Sequence, residues 1–262
     1  MSVARAFGGA LLFSLPILMT METWQLGFAI DRFRLALLLI VVLPLLAALV
    51  YYLGFEDATE WQDAILDAFV AIAVAAVLAL LVLVVFGAIE PGATLSEGVG
   101  MVALQTVTGS IGALLAQSQF GRAARDEQQL RDAGDFGEYF TMAAGALFLS
   151  ANVAPTEEVV LIAHMMGPWR ALVLLAISLV LMHAFVYAVG FRGQHRRAAD
   201  QSLLKEFLRF TVVGYLIALG ISAYVCWTFG RFDGVVVTEA LRMSIVLGFP
   251  ASIGAAAARL VL

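Results

Sequence analysis

The stretch AFVAIAVAAVLALLVLVVFGAI, residues 68–89, holds no charged and no hydrogen-bonding side chain between Asp67 and Glu90. It is apolar on every face, so it fits neither the amphipathic pattern of a surface helix nor the alternation of a half-buried strand. About 20 mainly apolar residues are needed to cross the hydrocarbon of a bilayer as a helix. In lipid the backbone must satisfy its own hydrogen bonds, which a helix does within a single segment. The stretch therefore reads as a membrane-spanning helix.

Seven further apolar runs lie on either side of it. The eight are near residues 5–29, 34–55, 62–88, 96–117, 139–165, 169–191, 207–229 and 238–260. The whole chain agrees: 62% of its 262 residues are hydrophobic and 13% are charged. A soluble domain is roughly half apolar and a quarter charged. The first run, with Arg5 ahead of it, resembles a signal peptide, but no small-residue cleavage site follows, so a retained helix is expected.

The runs repeat. Residues 5–55 pair without a gap with 141–191, and 16 of the 51 paired positions are identical. Ser14 pairs with Ser150, Thr20 with Thr156, Glu22 with Glu158 and Arg34 with Arg170. A second block pairs Ser110-Ile111-Gly112-Ala113 with Ser252-Ile253-Gly254-Ala255. The expected fold is thus an all-α integral membrane protein of about eight transmembrane helices. Residues 1–117 form the first four-helix repeat, 118–137 a polar cytoplasmic linker and 138–262 the second repeat. Four helices per copy is an even number, so the repeats are parallel and related by a pseudo-twofold axis along the membrane normal.

Orientation follows from the basic residues. With the N-terminus inside, ten Lys and Arg fall on the cytoplasmic side and five outside (Arg32, Arg34, Arg170, Arg231 and Arg242). The positive-inside rule then places both termini in the cytoplasm. The net charge of −5 offers no basic face to a nucleic acid. Cys226 is the only cysteine, which excludes an internal disulfide and a cysteine-based metal site.

Glu22 and Glu158 are the leading candidates for chemistry. An ionisable side chain within a span is costly and usually faces a cavity or a partner. On an unbroken helix Ser14, Leu18 and Glu22 share one stripe, and Ser150, Ala154 and Glu158 share the matching one. Pro155 removes a backbone donor ahead of Thr156-Glu157-Glu158, and Pro16 lies upstream of Glu22. Asn152, Pro155, Glu157 and Glu158 together read as a helix start, with Asn152 as the cap. Discontinuous helices with acids at the break are a way of building cation sites in transporters. Carboxylates, the Thr20 and Thr156 hydroxyls and freed carbonyls suit protons or hard cations rather than soft metals. The plain alternative is that both acids are solvated near headgroups or pair with Arg34 and Arg170.

His183 falls mid-span, where it either relays protons or, more often for such a residue, bonds a neighbouring helix. Thr94-Leu95-Ser96-Glu97 fits a capping box, and Thr238 is placed to cap a helix beginning at Glu239. The Gly- and Ala-rich stretches suit close helix packing within a subunit or in a homo-oligomer. Gln105, Thr106 and Thr108 could line a polar path, but Leu247, Gly248 and Pro250 stand at the matching positions. No HExxH and no GxxxxGK[ST] occurs, and Lys205 lies too near a membrane edge for a retinal Schiff base. No catalytic residue, resident metal or cofactor is expected, and the chain does not read as an enzyme.

With its hydropathy layout and its Thr20-Met21-Glu22 and Thr156-Glu157-Glu158 segments, the chain resembles a family of uncharacterised bacterial inner-membrane proteins over essentially its whole length. The resemblance implies a bacterial inner-membrane location and no particular activity. The residues themselves point to a small-cation transporter or channel, coupled to protons. The other reading is a non-enzymatic structural, assembly or sensory membrane protein. The expected partners are the lipid bilayer and a small cation or proton.

Overall fold

The computed structural model describes residues 3–53, 61–89, 92, 94–120, 123–188 and 207–261. Of the ten Lys and Arg expected on the cytoplasmic side, Arg122, Arg192, Arg196, Arg197 and Lys205 lie outside these residues. Ten α-helices and no strand occur among the described residues. They are α1 (Val3–Leu18), α2 (Met21–Ala29), α3 (Arg32–Leu53), α4 (Trp61–Val85) and α5 (Leu95–Phe120). They continue with α6 (Ala123–Val153), α7 (Glu158–Met165), α8 (Pro168–Ala188), α9 (Val213–Thr228) and α10 (Val237–Val261), and a π-helical turn, Phe207–Val212, leads into α9. The polar stretch 118–137 is largely helical, because α5 runs to Phe120 and α6 starts at Ala123.

Six segments are long and apolar enough to cross a membrane by themselves: α3, α4, α5, α8, α10, and α9 together with the end of the π-helical turn, Phe210–Thr228. The first and fifth apolar runs are not single helices. The axis turns by 85° between α1 and α2 and by 91° between α6 and α7, so the count reaches eight only when each bent pair is one span. The stripe expected to join Ser14 to Glu22, or Ser150 to Glu158, therefore ends at the bend.

The chain divides into two compact units, Met1–Gly137 with Thr228–Gly230, and Glu138–Trp227 with Arg231–Leu262. In the first unit α5 is the central helix; Met101, Leu104, Val107, Ile111 and Leu114 are all buried. The neighbouring α4 turns a stripe of small residues inward, Ala64, Ala68, Ala71, Ala75 and Ala79. Its large side chains, among them Leu66, Phe69, Val77, Leu81 and Val85, are exposed. Small residues inside and large apolar ones outside is the arrangement of a helix in lipid, where close backbone packing replaces the hydrophobic drive of water.

Gly112 lies against Phe13 and the Gly9 carbonyl in the first unit, and Gly254 lies against the Gly145 carbonyl in the second. The small-residue stretches read from the sequence thus pack helices inside each unit. Helix α4 ends where Gly87 takes φ 72°, with the Ala88 N–H bonding the Leu83 carbonyl at 2.9 Å. At the start of α5 the capping box is formed in full. The Thr94 N–H donates to Glu97 Oε2 at 2.9 Å, and the Glu97 N–H donates to Thr94 Oγ1 at 3.3 Å. Thr238 is not a cap, because α10 already begins at Val237.

Candidate functional site

Each bend leaves the last carbonyls of one helix without intrahelical donors, and each unit supplies those donors differently. In the first unit Thr20 sits at the corner in extended geometry, φ −99° and ψ 119°. Its hydroxyl turns back to the Pro16 carbonyl at 2.6 Å instead of capping α2. Pro16 itself stays inside α1, and the chain breaks only after Leu18. Thr23, one turn into α2, donates to the Ile17 carbonyl at 2.7 Å and approaches the Thr20 carbonyl at 2.6 Å. Trp24 Nε1 reaches the Leu18 carbonyl at 2.9 Å. Gln105, from the middle of α5, donates Nε2 to the Ile17 carbonyl at 3.2 Å and to Thr23 Oγ1 at 3.1 Å. Among the described residues the donors at this break are neutral. It is packed tightly: a Cβ on Gly27 would collide with the Met101 backbone, so α2 rests directly on α5.

In the second unit the corresponding donor is charged. The Gly230 turn, φ 72°, closes α9 and brings Arg231 to the bend. Its guanidinium bonds the Ala154 carbonyl at 3.2 Å, the Pro155 carbonyl, and Glu157 Oε1 at 2.8 Å. A fourth contact to the Thr156 carbonyl is long, at 3.5 Å. Carbonyl ends carry partial negative charge, and a guanidinium presents several donors in one plane, so one side chain serves several acceptors. Arg242 Nη1 closes the other end of α7 on the Met166 carbonyl at 3.0 Å.

The residues singled out from the sequence divide accordingly. Thr20 and Thr156 lie at the two corners, and the Thr156 hydroxyl bonds the Val153 carbonyl at 2.8 Å. Glu22 and Glu158 each fall in the first turn of the short helix after a bend, and both are exposed. Glu157 holds the N-cap position of α7 without a side-chain cap bond. Asn152 is not that cap. Its Nδ2 donates backward to the Phe148 carbonyl within α6, at 2.7 Å, because the chain between it and α7 is occupied by the turn. His183 Nδ1 lies 2.9 Å from Thr211 Oγ1 in an interhelical hydrogen bond, with Phe207 edge-on to the ring. His164 is exposed in the last turn of α7, 3.7 Å from Glu239.

The parts played at the bends by Gln105, read from the sequence as a path-lining residue, and Arg231, read as an outside charge, escaped sequence reasoning. Their partners lie 88 and 74–77 positions away, beyond the reach of local pattern. Thr106, Thr108 and Ser110 bond carbonyls of their own helix. Gln105 alone of this polar group has a bond outside α5. The only signal for it is an amide in the middle of an apolar span. No group of three or more His, Cys, Asp or Glu placed to hold a metal occurs among the described residues.

Long apolar helices with small residues inside and large ones outside, joined by two sharply bent pairs, define an all-helical, multi-span integral membrane protein. A family model described as "Putative integral membrane protein (DUF2391)" matches residues 2–262, and the chain belongs to that family. No curated protein and no solved structure matches it.

Proposed function

We propose that the protein carries a small cation across a bacterial inner membrane, coupled to protons, with both termini in the cytoplasm. The observation that carries this reading is the pair of bends of 85° and 91°. Each leaves helix-end carbonyls and a Thr-x-Glu segment together at a break in an apolar run. Broken helices of this kind bring carbonyl oxygens, hydroxyls and carboxylates into the membrane region, where an unbroken helix hides its backbone. We further read the two units as copies of one four-helix design. The Gly9–Gly112 and Gly145–Gly254 approaches, which occupy paired positions in the sequence, support that. Thr20, Glu22, Thr156, Glu157 and Glu158 are the proposed ion-handling groups, with Asn152 and His183 inside the second unit. The role is transport, not catalysis.

The test is flux of H⁺, Na⁺, K⁺, Ca²⁺ and Mg²⁺ into proteoliposomes. Wild type is compared with a Glu22→Gln, Glu158→Gln double variant. The expected result is flux of one cation that the folded double variant loses. A structural, assembly or sensory role is the second reading, and the exposure of both carboxylates favours it. Absence of flux for every ion from folded wild type would establish that reading over the first.

A further inference from the structure

The bend between α6 and α7 gathers the oxygens of four consecutive residues on one positive charge. The Arg231 guanidinium bonds the Ala154 carbonyl through Nε at 3.2 Å, Glu157 Oε1 through Nη1 at 2.8 Å and the Pro155 carbonyl through Nη2. The Thr156 carbonyl stands further off, 3.5 Å from Nη2. Carbonyl and carboxylate oxygens are the hard ligands that hard cations take. The C-terminal end of α6 adds the negative pole of a helix. The oxygens that hold the guanidinium are therefore of the kind that would hold a free ion.

The first unit shows the same kind of bend closed without charge. Met21 stands at the position paired with Glu157. The donors described at that corner are the neutral side chains of Thr20, Thr23, Trp24 and Gln105. Free helix-end carbonyls need only donors, and an amide, two hydroxyls and an indole supply them there. Closing a bend thus does not require a carboxylate facing a guanidinium. A cation site does require a carboxylate or its equivalent, and the second unit has one.

The corner is also reachable from solution. Glu157 has 76% of its side chain exposed and Thr156 is half-buried, whereas the Arg231 side chain is 15% exposed. An ion can therefore reach the carboxylate before the guanidinium leaves. Arg231 stands on the turn between α9 and α10, not on a helix, and rotation about its side-chain bonds withdraws it. We infer that the α6–α7 bend is a binding site for a monovalent hard cation of the alkali-metal kind, and that Arg231 is a tethered cation filling the site until a free ion displaces it. The inference rests on the cation reading above and gives that reading a site and its regulation. One carboxylate facing one guanidinium is neutral, so a monovalent ion exchanges with Arg231 at constant local charge. A divalent ion would leave a positive charge uncompensated in a partly buried corner. An alkali ion is smaller than a guanidinium, and water entering past Glu157 completes its shell.

The test is thermal unfolding of the full-length protein in one detergent. Choline chloride is compared with sodium or potassium chloride at the same concentration, and with choline chloride plus millimolar guanidinium chloride. Arg231→Ala keeps the four oxygens and removes the tethered cation. Sodium or potassium, and guanidinium, should raise its melting temperature over choline by roughly 2–4 °C or more. Wild type, with its site already filled, should move by less than half as much. Adding Glu157→Gln to Arg231→Ala should abolish the response. Arg242→Ala frees only the Thr238 and Met166 carbonyls, so it should lose stability without gaining a cation response. If Arg231→Ala does not fold, Arg231→Gln, which keeps a donor but no charge, takes its place. An Arg231 variant that responds no more than wild type, a response that survives Glu157→Gln, or an equal response from Arg242→Ala would overturn the inference. Cation flux through wild-type proteoliposomes without that response would overturn the site and leave the transport reading standing. The response without flux would establish the site and count against transport.

Discussion

Gln105 Nε2 donates to the Ile17 carbonyl at 3.2 Å, and Thr23 Oγ1 approaches the same oxygen at 2.7 Å. Two side chains from two helices thus serve one acceptor at the end of α1. The Thr20 N–H approaches that carbonyl only to 3.3 Å, and the Thr20 hydroxyl, 3.2 Å away, already gives its proton to the Pro16 carbonyl at 2.6 Å. Sharing of this kind predicts non-additivity. Either Gln105→Leu or Thr23→Val should cost about 1 kcal/mol, the ordinary scale of an interhelical hydrogen bond in a membrane. Together they should cost more than the sum, since only the double variant strips the acceptor of both good donors. Thermal unfolding of the four proteins in one detergent measures the coupling. Strict additivity would mean that the two bonds act independently.

Arg231 is the charged counterpart in the second unit, and its four contacts are not equal. Three go to backbone carbonyls, which remain in place when a side chain is changed. The fourth goes to Glu157, whose carboxylate is largely solvated while the arginine side chain is only 15% exposed. Exposed ion pairs contribute little. Leaving helix-end carbonyls without a donor costs more, about 2 kcal/mol for a group bonded by a charge. Arg231→Ala should therefore lower stability by about that much, whereas Glu157→Gln should change it by less than about 1 kcal/mol. The α6–α7 turn of the Arg231 variant should also become the first site cut in limited proteolysis. Equal losses from both substitutions would show that the ion pair, not the carbonyl contacts, holds the bend.

The capping box at α5 offers a local check. Thr94→Ala removes one of two reciprocal bonds and should cost about 1 kcal/mol. Ser96→Ala, one residue before Glu97 and outside the box, should cost much less. Hydrogen exchange in the first turn of α5 reads the difference at the site. Equal protection in both variants would mean that the Thr94 hydroxyl is not the group holding that turn.

What the sequence revealed and what it hid follow from the distance over which each feature is determined. The apolar runs, the Thr94–Glu97 box and the turn at Pro155 depend on residues within a few positions of one another, and each is visible in the structure. The first bend was less legible, because Pro16 sits inside α1 and the chain turns after Leu18. That position is set by Gln105, Thr23 and Trp24 closing on the free carbonyls, a tertiary event. Asn152 misled because a cap and an ordinary back-bonding amide look alike in sequence. It was the absence of a following helical turn that decided between them.

The close approach of α6 and α10 makes the sharpest prediction about packing. Gly145 and Gly254 face each other so nearly that a Cβ on either would meet the other's carbonyl group, a backbone contact that no rotamer change relieves. Gly145→Val or Gly254→Val must therefore push two helices apart across a core of alanines. Overpacking of this kind typically costs 1–3 kcal/mol, and the upper end of about 3 kcal/mol is expected where the obstacle is backbone. Gly8 has nothing within 4 Å of its new Cβ, so Gly8→Ala should stay within about 0.5 kcal/mol of wild type. Gly112 provides the internal comparison. Its Cβ would collide with the Phe13 Cβ, an atom held by the backbone that no rotamer moves, with the Gly9 carbonyl further off at 3.3 Å. Because that obstacle is as fixed as backbone, Gly112→Ala should cost about as much as Gly254→Ala. Melting temperatures of these variants in one detergent rank them. If Gly254→Ala proved as harmless as Gly8→Ala, the α6–α10 contact would be looser than the glycine geometry requires.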